Sequence, residues 1–171
     1  VPAELQSRLL AAVYACPNGV YRMSPDIDRL VQTSNNLARV LLAEGKLELY
    51  CLTRSSVNSE RDDLANAICA GLGLIGATVQ SHGAYPGWQP LPDSDLVTIT
   101  SNLYQELFGE SAKVTAIHAG LECGILGQNY PEVQMVSFGP NIRGAHSPDE
   151  RCQISSVQKY WRFLLTLLDR L

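Results

Sequence analysis

Apolar and polar positions alternate in two different rhythms along this chain. Leu5, Leu9, Leu10 and Val13 recur at helical spacing after Pro2 and stop before Pro17-Asn18-Gly19, which predicts a first helix over 3–14 and then a turn. Two runs, Ser34–Ala43 and Lys46–Arg54, flank Glu44-Gly45. The second sets Leu47, Leu49, Cys51 and Thr53 against Glu48, Tyr50, Leu52 and Arg54, the period of a strand, so the pair predicts a hairpin. From Ser59 the period returns to that of a helix, with Leu64, Ala67, Ile68, Gly71 and Leu72 on one side, and Ala77–His82 reads as a further short strand.

The order α-β-β-α-β is that of a ferredoxin-like domain without its first strand. It implies a chain that starts inside a domain, with an open slot in the sheet to be filled by a second copy or a rearranged segment. Gly, Pro and Asp cluster over 83–95 and mark a boundary. Beyond the aromatic turn Tyr85-Pro86-Gly87-Trp88, Asp93 or Ser94 caps a helix carrying Leu96, Ile99, Leu103, Tyr104 and Leu107 that ends at Gly109. Lys113–Ile117 then reads as a strand, Leu121–Leu126 as a short helix, Val133–Ser137 as a strand and Gln153–Leu171 as a long amphipathic helix, an alternating α/β pattern within an α+β whole.

Charge narrows the function. Of 171 residues, 13 are Lys or Arg and 17 are Asp or Glu, a net charge of −4 without a basic run, which argues against nucleic acid as a partner. The longest apolar stretches, around Ala67–Val79 and Phe163–Leu168, fall short of the roughly 20 residues that span a bilayer, so no membrane anchor is expected. Five cysteines without a CxxC pair or a leader read as reduced thiols of a cytoplasmic protein. The three histidines, His82, His118 and His146, are too scattered for a local HExxH or HxH metal pair.

Three segments carry candidate chemistry. In Phe138–Glu150, two glycines and two prolines hold His146 on a loop after an apolar strand; it suits a metal ligand with Asp149 or Glu150 orienting its ring, or a histidine bonded within the loop while those carboxylates cap the last helix. Ile117–Gly124 reads as strand, glycine turn and helix, which brings backbone N–H groups near a ligand; His118 and Cys123 form a thiolate pair there, or Cys123 is an inert apolar thiol. Arg54 ends its strand beside Thr53, Ser55 and Ser56, a setting for bidentate recognition of a carboxylate or for an ordinary solvent-facing arginine.

Taken together, Pro17–Val20, Val31–Leu37, Arg54-Ser55-Ser56, Tyr85–Trp88, His118–Gly124 and Ser137–Glu150 resemble the aminoacyl-histidine (Xaa-His, or β-alanyl-histidine) dipeptidases, co-catalytic zinc exopeptidases. The resemblance runs over nearly the whole chain. It implies a lid (dimerisation-like) portion over 1–90 and the C-terminal part of an α/β zinc-exopeptidase catalytic domain over 91–171. By the same resemblance His146 matches the last zinc ligand, Arg54 the lid arginine that binds the C-terminal carboxylate of the dipeptide, and Gly120 a backbone contact to substrate, with His118 and Glu122 lining the pocket. Two zinc ions, a dipeptide substrate with C-terminal His and a possible homodimer are implied. The family's other metal ligands and catalytic carboxylates belong to an N-terminal region, and no His-x-Asp motif or Glu-Glu pair occurs here, so the chain alone is expected to be inactive. The rival expectation is a non-enzymatic lid-like module that dimerises or binds small carboxylates through Arg54.

Overall fold

The computed structural model describes residues 2–117 and 122–171 and divides the chain into two compact units, residues 1–90 with 116–131 and residues 91–115 with 132–171. In the first, α1 (Ala3–Ala15) leads through Pro17 to a three-stranded antiparallel sheet, β1 (Gly19–Met23), β2 (Val31–Ala43) and β3 (Lys46–Ser55), in spatial order β1-β2-β3. Helix α2 (Asn58–Gly73) follows. Leu64, Ile68 and Leu72, spaced by four, put one stripe of α2 into the core against Leu49 of β3 and against Ala12 and Cys16 at the end of α1. A short helix, α4 (Glu122–Asn129), belongs to the same unit.

The second unit holds α3 (Asp95–Phe108), a two-residue ladder between β4 (Ile142–Arg143) and β5 (Arg151–Cys152), and α5 (Ile154–Leu168). Ser94 caps α3 by accepting the Val97 N–H, and Gly109 ends it in the left-handed conformation at φ 72°, as the cap residues predicted. Its core is Leu103, Phe163 and Leu167, edged by Tyr104, Phe108 and Phe138, with the Phe138 and Phe163 rings 5.0 Å apart in an edge-on contact.

The mixed helix and strand class, the hairpin and the long helices agree with the sequence pattern. Three expected strands do not: 77–82, 113–117 and 133–137 carry no ladder among the described residues. A strand is a paired object, and alternation alone does not supply its partner. Conversely β1 was not expected. It pairs with β2 from Gly19 opposite Asn35 to Met23 opposite Val31, with two irregularities that blur its alternation. None of the described helices is long and apolar enough to cross a membrane.

Candidate functional site

Arg54 stands near the end of β3, opposite Ser34 of β2. Its neighbours point the other way, as alternation requires. Thr53 Oγ1 donates to Asn35 Oδ1 at 2.9 Å, and the Ser55 and Thr33 hydroxyls bond each other at 2.9 Å. These hydroxyls are occupied on the opposite face and do not surround the guanidinium, which corrects the setting expected for it. What they do is fix the strand. Asn35 also donates to the Pro17 carbonyl at 2.7 Å, and Asn18 Oδ1 accepts the Leu37 N–H at 2.9 Å, tying the Pro-Asn-Gly turn to β2. Thr33, Asn35, Ser55 and Ser56 are all buried, so the centre of this network is shielded from water and holds the register of the strand that carries Arg54. Arg54 itself is exposed and has no side-chain partner among the described residues.

The chain just beyond β3 is clamped by the aromatic turn. A Cβ on Gly87 would overlap the Ser56 carbonyl oxygen and lie 2.6 Å from its carbon and 2.9 Å from the Ser55 oxygen, so only glycine lets the two backbones approach this closely. Gly124 in α4 meets the turn from another side; its Cβ would come within 2.6 Å of the Pro86 oxygen. The Gly87 N–H donates to Asn58 Oδ1 at 2.7 Å, while the Arg61 guanidinium donates to the Tyr85 carbonyl and pairs with Asp62 at 2.7 Å. Asn58 and Arg61 escaped the sequence reading. The glycine of Tyr-Pro-Gly-Trp was the only legible sign of the clamp.

In the second unit His146 sits in the left-handed region, φ 63°, on an exposed loop closed by the β4–β5 ladder. Gly144 makes the bend at φ 64°, and the Ser147 hydroxyl donates back to its carbonyl at 2.7 Å. Glu150 accepts the backbone N–H of His146 at 2.8 Å. The carboxylate therefore shapes the loop through the main chain, and no described carboxylate orients the His146 ring. Neither Asp149 nor Glu150 caps α5, whose N-cap is Gln153. Gly120 and His118 lie outside the described residues, and with them the His118–Cys123 pair. Glu122 opens α4 and is exposed; Cys123 is half-buried.

A model of peptidase family M20/M25/M40 matches residues 11–170. The chain belongs to this family. Over 166 residues it is 40% identical to the cytosol non-specific dipeptidase of Escherichia coli (strain K12), covering 97% of this chain and 34% of that protein. Among solved structures, the aminoacylhistidine dipeptidase of Vibrio alginolyticus superposes with a TM-score of 0.87 at 41% identity, again over 97% of this chain and 34% of its own. The aminopeptidase PepT of Bacillus cereus ATCC 10987 shares the fold at a TM-score of 0.70 and 14% identity, over 95% of this chain and 44% of its own. The resemblance drawn from the motifs thus holds, and the chain spans about a third of the length of the dipeptidases it matches.

Dipeptidases of this family are generally metal-dependent. Zinc sites take three or four protein ligands. Among the described residues no group of three or more His, Cys, Asp or Glu is placed to hold a metal ion, so they do not make up such a site by themselves.

Aromatic side chains also frame a cleft of about 430 Å³ within the second unit, lined by Tyr104, Phe108, Phe138, Tyr160, Lys159 and Phe163 among others. Lys159 donates to Tyr104 Oη and to Glu110, both at 2.6 Å. The Lys159 bond, with the Tyr104 hydroxyl donating to Glu110 at 3.1 Å, holds the Glu110 carboxyl below the usual range, and the bonds to Glu110 and Tyr104 push the Lys159 ammonium above its own.

Proposed function

We propose that the whole protein is a zinc dipeptidase whose substrates include Xaa-His dipeptides, and that this chain supplies part of its substrate recognition and one ligand of its metal site. The observation that carries the reading is Arg54, an exposed guanidinium with no side-chain partner among the described residues, on a strand whose register is fixed by buried and half-buried hydrogen bonds. A guanidinium presents parallel N–H donors that match a carboxylate, and holding it on a rigid strand lowers the entropy lost on binding. The C-terminal carboxylate of a dipeptide is the matching group. It is also the feature that separates an enzyme for short free peptides from one that cleaves within a chain.

His146, presented on the bent loop after Gly144, is the metal ligand in this reading, and Gly120 contributes a backbone contact to substrate. When bound, two zinc ions activate water and polarise the scissile carbonyl. Residues 1–90 act as a lid that also serves dimerisation, and 91–171 complete the catalytic domain. The enzyme works in the cytosol, the compartment in the name of the Escherichia coli relative. Taken alone, the chain is inactive for want of the remaining ligands and carboxylates.

The test is hydrolysis by the whole metal-loaded protein of a panel of Xaa-His dipeptides, dipeptides ending in other residues, and tripeptides. Cleavage of the Xaa-His set that stops on chelation and returns with zinc is the expected result. A metal-loaded protein that leaves every dipeptide intact contradicts the proposal.

A further inference from the structure

Two of the five cysteines stand together although nothing in the dipeptidase reading uses them. Cys16 is the residue on which α1 ends, its N–H donating to the carbonyls of Ala12 and Val13, and it packs against the Leu64–Ile68–Leu72 core. Cys51 lies on the strand face that carries Leu49, exposed to solvent. Their sulfurs are 3.8 Å apart across 35 residues of chain. We propose that Cys16 and Cys51 are a site of reversible disulfide formation, with Cys51 the entry thiol and Cys16 the resolving one. The sulfurs have only to close from 3.8 Å to the roughly 2.05 Å of the bond, a movement of side-chain rotation at two ends that already face each other.

Exposure decides the order of events. An oxidant of the disulfide class, such as oxidised glutathione, reaches Cys51 first. The Cys51 thiolate attacks one glutathione sulfur, the S–S bond breaks, and one glutathione leaves as a thiolate that takes up a proton. Cys16 starts as a poor nucleophile, its thiol pushed up to about 11 by burial and by the charge and hydrogen bond of Cys51. Once Cys51 is a neutral mixed disulfide, the charge and the bond are gone and burial alone remains. Cys16 then loses its proton, attacks the Cys51 sulfur and expels the second glutathione. Two protein thiols are oxidised by two electrons and one glutathione disulfide is reduced to two thiols. The product staples the end of α1 to β3 and closes a loop through the Pro17–Gly19 turn and β2.

The experiment equilibrates the whole protein with mixtures of reduced and oxidised glutathione, blocks free thiols by alkylation and maps peptides by mass spectrometry. The Cys16 and Cys51 peptides should lose label together, with one midpoint, and appear as a single cross-linked species lighter by two hydrogens; dithiothreitol should restore both labels. In Cys16→Ser, Cys51 should stop at the glutathione adduct. Separate midpoints for the two peptides in the wild-type protein, or a glutathione adduct that persists on its Cys51, would overturn the proposal. That reading needs no variant to fold, and because it records thiols and not turnover, it stands or falls apart from the dipeptidase assignment.

Discussion

The end of β3 and the His146 loop both leave one candidate side chain, Arg54 or His146, exposed to solvent, yet they are built in opposite ways. Arg54 depends on residues far along the chain: Asn35 reaches Pro17, Thr53 reaches Asn35, and Gly87 packs on Ser56. The His146 loop depends on itself, through Gly144, Ser147 and Glu150, with every residue from 141 to 150 exposed. A side chain held over a network of distant residues is sensitive to substitutions far along the chain. Presentation on a short self-bonded loop is sensitive only to its own residues.

The sharpest way to break that contrast is Gly87→Ala. The added methyl meets the Ser55–Ser56 backbone and no flexible side chain that could give way, so it should destabilise the protein by about 2–3 kcal/mol, read as a lower urea midpoint. Asn35→Ala comes next. It removes the partner of the half-buried Pro17 carbonyl and Thr53 hydroxyl and should cost about 1–2 kcal/mol. Gly144→Ala should cost no more, about 1–2 kcal/mol, since it asks alanine to hold φ 64° where the loop can relax into solvent. If Gly144→Ala proves the most damaging of the three, the loop is not the autonomous element described.

Which parts of this were readable beforehand follows the same division. Caps and helical stripes are local, so α3 with Ser94 and Gly109, and α2 with Leu64, Ile68 and Leu72, were legible residue by residue. Pairing is not local. Val133–Ser137 alternates as a strand should but finds no partner among the described residues, while β1 hides behind its register irregularities. At the site, Arg54 and His146 stood out by residue type and neighbours. The spent hydroxyls of Thr53 and Ser55, and the Asn58 and Arg61 hold on the aromatic turn, depend on contacts across 18 to 29 residues that no spacing rule encodes.

The smallest expected effect separates the Asn35 network from the Lys159–Glu110 pair of the second unit by pH. The Asn35 network contains no titrating group, so the cost of Asn35→Ala should stay level as pH falls. The Glu110 carboxyl is held low by Lys159 and Tyr104, so its contribution is full above the ordinary carboxylate range and is lost as pH falls through its depressed value. The gap in urea midpoint between wild type and Glu110→Gln should therefore close as pH falls below the ordinary carboxylate range, while that for Asn35→Ala does not.

The central claim, that Arg54 is held on its strand to read a carboxylate, is tested most directly in the whole protein by comparing a dipeptide with its C-terminal amide. A charged, two-point hydrogen bond is worth roughly 1.5–3 kcal/mol, so Arg54→Ala should lose on the order of 10- to 150-fold in kcat/KM on the free acid. Arg54→Lys keeps the charge without the fork and should fall between. Wild type should prefer acid over amide, and Arg54→Ala should scarcely distinguish them. An unchanged acid-over-amide preference in Arg54→Ala would contradict the account.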